Sequence, residues 1–225
     1  MKINLLLLTV STAVLTACGG GGEGTTNEFP LAAAYRANLP ASKATSFDIS
    51  GTCSGTGTRF VTAPEPGSFE GAPALVKTIT ATSNFTNCPN SGTVTSYDYY
   101  DANLDVLGFV TPNVAYSKFL ARVVVPELVK VGDGAVLGTA LTYTDSSKSR
   151  QLGTTTYSYQ VESRDGPSAV IAKLISTNVD ATGGPFSVQT ETYRLTATGL
   201  ATGTLKLMVD DVQYANGFRV TLTVR

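Results

Sequence analysis

The residues best spaced for chemistry are Asp98, Asp101, Asn103 and Asp105. Asp101-Ala102-Asn103-Leu104-Asp105 matches the opening of a calcium loop, in which oxygen ligands at alternate positions converge on one ion. The match stops there, because Val106 stands where a glycine should permit the sharp turn and Pro112 stands where a bidentate glutamate belongs. These side chains are therefore expected to act as hairpin-turn groups. Asp210-Asp211 reads as a carboxylate pair for acid/base work, but neighbours on a strand point to opposite faces, so a solvated strand end is expected. Tyr97, Tyr99 and Tyr100, with Tyr157 and Tyr159, offer apolar rings with polar tips that suit stacking on sugars or lining a cavity. Their alternation favours cross-strand pairs within a sheet. Ser54-Gly55-Thr56-Gly57-Thr58 lacks the following helix and the Lys-Ser/Thr signature of a phosphate loop.

Composition narrows the chemistry further. The chain has no His, which removes the usual general base near neutral pH and the commonest metal ligand. No Gly-x-Ser-x-Gly elbow or His-Glu-x-x-His helix occurs, and Ser146-Ser147-Lys148 falls in a polar hairpin end. No catalytic residue, metal site or cofactor is expected, and carboxylate-based glycoside chemistry is the enzymatic form least excluded. With 16 Lys and Arg against 17 Asp and Glu, the chain carries no basic field for nucleic acid. Charged residues make up 15 % of it, against a usual value of about 25 %, and Ser, Thr and Gly fill the difference. Its 225 residues suffice for one ordinary domain with a real core.

The N-terminus gives an address. Lys2 precedes an apolar run from Leu5 to Leu15, well short of the roughly 20 residues of a spanning helix, and Gly19 to Gly22 follow almost at once. This is a secretory leader. It ends in Leu15-Thr16-Ala17-Cys18, which resembles the lipobox of bacterial lipoproteins. The resemblance implies cleavage before Cys18, diacylglycerol on its sulfur, and usually a further acyl chain on the new amino group. Several acyl chains together anchor stably where one alone binds marginally. Gly19, rather than Asp, after the cysteine implies sorting to the outer membrane of a Gram-negative cell. The expected organisation is a signal peptide over residues 1–17, a Gly-rich tether over 18–28 with a mean reach of roughly 18 Å, and a single β domain over 29–225.

With Cys18 acylated, Cys53 and Cys88 remain as an even pair in an oxidising compartment, and a disulfide is expected between them. Two buried free thiols are the alternative.

The elements that would position these residues are mostly strands. Phe29 to Leu39 reads as one short helix, with Pro30 in its first turn, Pro40 beyond its end, and Leu31, Ala34, Tyr35 and Asn38 on a shared face that caps one end of a sheet. From Thr45 onward the apolar period is two. Strands are expected at Phe47 to Ile49, Leu75 to Phe85 and Val94 to Tyr100, with 62–73 as a Pro- and Gly-rich surface loop. Arg122 to Val131 is expected to turn at Gly132-Asp133-Gly134 into Val136 to Tyr143, and Thr154 to Arg164 to turn at Asp165-Gly166 into Ala169 to Thr177. Phe186 to Thr198, Thr204 to Val209 and Phe218 to Val224 complete the set, with a bulge or bend expected between Val188 and Tyr193 where the apolar parity changes. Short connections imply antiparallel neighbours. The fold class is all-β, an antiparallel meander forming a sandwich or a partly open barrel.

In general character the chain resembles the β-rich outer-membrane lipoproteins that follow a leader, lipobox and glycine run. The expected role is a membrane-anchored, non-enzymatic module, structural or protein-interacting, with an envelope protein as partner. The alternative is a carrier of an apolar or lipid ligand in a lipocalin-like or lipoprotein-carrier-like half barrel.

Overall fold

The computed structural model describes residues 28–89, 91–198 and 202–225. The expected signal peptide, Cys18 and nearly all of the expected tether lie outside the described residues. One helix, α1 (Leu31–Asn38), precedes thirteen strands: β1 (Lys43–Gly51), β2 (Gly55–Val61), β3 (Glu65–Phe69), β4 (Ala72–Phe85), β5 (Gly92–Tyr100), β6 (Val106–Thr111), β7 (Ala115–Phe119), β8 (Gly134–Tyr143), β9 (Gln151–Arg164), β10 (Ala169–Asp180), β11 (Pro185–Thr198), β12 (Thr202–Tyr214) and β13 (Arg219–Val224). From β4 to β13 every strand pairs antiparallel with the next, β13 pairs with β1, and β2 joins β1 to β4. Of the two architectures that the apolar pattern allows, the chain forms the barrel, and the barrel is closed, with twelve strands in its wall. Closure removes every edge except that of β3, which continues the line of β2 beyond the wall and carries Pro66, a residue tolerated at an edge.

The wall alternates as period two demands. Phe47 and Ile49 of β1, Tyr157 and Val161 of β9, Leu174 of β10, and Val220 and Leu222 of β13 point inward and are buried. The helix closes one end. Leu31, Ala34 and Tyr35 face the core. The backbone N–H groups of Leu31 and Ala32, orphaned at the helix start, donate to the carbonyls of Glu127 and Pro126 at 3.0 and 3.2 Å. At the other terminus the Lys77 ammonium donates to the Leu39 carbonyl at 2.9 Å, a cation set against the negative end of the helix dipole. The opposite end carries the Cys53–Cys88 disulfide, which ties the turn after β1 to the turn after β4 with a Cα separation of 5.5 Å.

Three expected elements are placed differently. Residues 122–131 form no strand: this segment straps across α1, held by the paired backbone bonds between Phe29 and Val129, and β7 takes its expected place beside β8. Val123 and Val129 pack into the core from this segment, while Val124 and Val131 are exposed. The 62–73 stretch is largely a hairpin, since β3 and the start of β4 meet at Glu70-Gly71, where both φ angles are positive (55° and 79°) as a two-residue hairpin turn requires. In β11 the inward residues keep one parity throughout: Ser187, Gln189, Glu191, Tyr193 and Leu195. The parity change expected there is a change of polarity, and the bulge lies opposite, at Met208 of β12.

Candidate functional site

That polar stretch of β11 faces a belt of buried charge across the barrel interior. Asp210 of β12 is completely buried, and its carboxylate accepts from the Arg59 guanidinium of β2 at 2.7 Å and from the Gln189 amide at 2.9 Å. Arg59 also reaches Glu191 at 3.6 Å, and the Tyr193 hydroxyl donates to the other Glu191 oxygen at 3.0 Å. The guanidinium lies over the Phe47 ring, 5.2 Å from its centroid, which adds a cation–π contact in a dry setting. Under the helix, the Tyr100 hydroxyl donates to Asp98 at 3.2 Å, and Lys77 approaches the same carboxylate electrostatically. Beyond the belt the lining is uncharged: the Thr155 hydroxyl donates to Asn178 at 2.5 Å, whose amide donates to Ser187 at 3.1 Å.

Burial dominates the titration of these groups. It pushes Asp98 up to about 8, only partly offset by the Tyr100 hydrogen bond and by Lys77. Glu191 is likewise pushed well above the carboxylate range by burial and by the Asp210 charge beside it, with Arg59 and Tyr193 pulling back. Both groups hold protons in the folded chain that they release in the unfolded chain, so their stabilisation is fully present below the ordinary carboxylate pKa. It is lost as pH rises through the folded-state value. The melting temperature is expected to fall between pH 5 and pH 9, and Asp98→Asn to flatten that slope; a wild-type profile that stays level across the window would contradict the assignment.

Two carboxylates poised near neutrality are the type of group a glycosidase employs. Asp98 is 1 % exposed and Glu191 3 %, so neither meets a saccharide from outside the wall. Among the described residues no group of three or more His, Cys, Asp or Glu side chains is placed to hold a metal ion.

A second polar feature lies on the outer wall. The tip of the β3–β4 hairpin folds back so that Phe69 packs on Tyr99 and stacks on Tyr116, at centroid distances of 4.8 and 5.5 Å. Gly108 makes that approach possible, because a Cβ there would stand 2.5 Å from the Phe69 ring and 2.2 Å from the Ser117 carbonyl oxygen. Glu70 accepts from Tyr116, Lys148 and, at 2.9 Å, Lys118, and these bonds hold its carboxyl down at about 2. An open groove of about 800 Å³ runs beside it, bounded by Phe69, Glu70, Tyr99, Asn113, Tyr116 and Asp145. Despite its three partners, Glu70→Gln is expected to cost under about 1 kcal/mol in chemical denaturation, because the pairs are solvated and screened.

The expected site residues are dispersed. Asp98 points inward, whereas the Asp101 carboxylate accepts the backbone N–H groups of Asn103 and Asp105 at 2.8 and 2.9 Å, and Asp105 pairs with Arg122 at 2.6 Å. They act as turn groups. Asp211 faces outward to Arg219 and Thr221, on the face opposite Asp210. Asp210 corrects the solvated reading: β12 continues to Tyr214, and the bulge at Met208 turns this carboxylate inward. Tyr100 and Tyr157 are core residues, while Tyr99 lies under Phe69 on the outside, so the tyrosines form no single platform. Ser54 to Thr58 run into and along β2. Ser146 and Lys148 occupy the β8–β9 turn. Comparison of the chain with family models, curated proteins and solved structures finds no match.

Proposed function

We propose that this chain is a lipid-anchored envelope module without catalytic activity, held at the outer membrane through Cys18 and working through its exposed surface on a protein partner. The observation that carries this reading is the polarity of the outer wall. Ser46, Asp48 and Ser50 of β1, Thr78, Thr80 and Thr82 of β4, and Thr154, Thr156 and Ser158 of β9 all face outward. A barrel set in a bilayer needs an apolar band about 25 Å tall in that position. This wall suits water, so membrane attachment falls to the acyl chains that the lipobox resemblance implies. The interior supports the same reading, because Arg59, Asp210, Gln189 and Glu191 are engaged with one another.

Cys18→Ala is expected to abolish palmitate labelling and to release the protein from membranes; unchanged labelling would end the anchor reading. Crosslinking on intact cells tests the partner: recovery of the protein alone would argue against a protein-interaction role. A lipid retained through native mass spectrometry would instead favour an apolar-ligand carrier, whose cargo would have to lie against the buried charges at a desolvation cost.

A further inference from the structure

The apolar surface of this barrel is unevenly distributed. Leu120, Val124, Leu128, Val131 and Val136 are between 41 and 67 % exposed, and all lie from the end of β7, through the strap over α1, to the first residues of β8. The strap is not loose chain. Leu120 and Val124 donate backbone bonds to Thr139 and Leu137 of β8, Gly132 donates to Val161 of β9, and Val129 pairs with Phe29. The side chains are thus displayed from a fixed backbone at the helix end of the barrel.

We infer that this rim is a lipid-contacting surface, seated on the headgroup and upper acyl region of the membrane that holds the anchor. The inference rests on the anchor reading above and adds an orientation to it. The described chain begins at Glu28, and the Phe29–Val129 bridge fixes that start within the strap itself. Glu28 lies ten residue steps beyond Cys18, which span at most about 35 Å fully extended. β10 has 12 residues, and at a tilt near 40° the barrel is about 30 Å tall. The far end, where Phe186 is exposed, can approach the bilayer only with the leash nearly taut around the outside of the barrel. The strap approaches it with the leash slack.

Charge around the rim permits this seating. Arg36 pairs with Glu127 and Arg122 with Asp105, and Lys130 stands in the same turn as Asp133, so both signs are interspersed at the rim. Exposed branched apolar side chains beside long basic stems are the composition of an interfacial contact, with the stems covering apolar surface while their charges stay hydrated. No indole occurs anywhere in the chain, so one tryptophan makes a clean reporter.

The test uses the full lipidated protein reconstituted in phosphatidylcholine vesicles, carrying Val124→Trp, Leu128→Trp or Phe186→Trp. Vesicle flotation is scored first, and unchanged circular dichroism confirms that each variant folds. Phospholipid brominated near the carbonyl end of its chains is expected to quench Val124→Trp and Leu128→Trp by half or more, and to leave Phe186→Trp unquenched. Flotation without quenching at 124 and 128, or with quenching at 186 instead, would overturn the orientation while leaving the anchor intact. Failure to float would overturn both.

Discussion

Replacing Arg59 with methionine is expected to cost about 3–5 kcal/mol of folding free energy, the largest effect of any single substitution considered, because it strands the Asp210 carboxylate inside the barrel without a counter-charge and takes the cationic neighbour from Glu191. For a domain of this size that corresponds to a fall in melting temperature of about 10 °C. The size of the loss would not mean that the ion pair is worth that much. Removing all three polar side chains together, with Asp210→Leu and Glu191→Leu added to Arg59→Met, is expected to recover most of the stability, since a buried pair is often no better than an apolar replacement. Arg59→Lys should behave more like methionine than like wild type, because one ammonium cannot serve both Asp210 and Glu191 from this position and loses much of the contact with Phe47. Equilibrium urea unfolding of the four proteins measures all of this. A single mutant as stable as wild type would show the cluster to be hydrated.

The Cys53–Cys88 bridge is expected to contribute about 3–4 kcal/mol, the chain-entropy figure for a loop of its size. Its surroundings favour the full value. Ser54 donates its backbone N–H to the Asn87 side chain at 2.6 Å, and Thr86 donates to the Ser54 carbonyl at 2.8 Å, so the two turns are already aligned without the bond. Cys53→Ser with Cys88→Ser should fold to the same barrel and unfold at lower denaturant. A double variant that matches the oxidised parent would place the constraint in the turn hydrogen bonds.

Much of this architecture could be read from the sequence because period-two alternation is a local property. β9, β10 and β13 and the Asp165-Gly166 turn follow from neighbouring residues alone, as does the helix between Pro30 and Pro40. The charged belt could not be read in that way. Lys77 shares a face with Leu75, Ile79 and Ala81, and Arg59 shares one with Gly57 and Val61, so their parity pointed inward. Only the tertiary pairing of β2, β12 and β11 supplies the partners that make such burial tolerable. Asp210 was hidden by a single unpaired residue, Met208, which shifts the register of everything after it. The strap misled for the opposite reason: Arg122 to Val131 has the residues of a strand, and Phe29 competes successfully for its backbone.

The seam between β1 and β13 also sets a timetable. Phe47 has to meet Val224, and Arg59 has to find Asp210 across a sequence separation of 151 residues, so no intermediate length of chain completes the ring. Contacts this distant make for slow folding. Until β13 arrives, β1 is paired on its β2 side alone and presents a naked edge of the kind that invites wrong pairings. In a chain built this way aggregation competes with closure of the ring, so the yield of closed barrel on refolding is expected to rise as the protein is diluted.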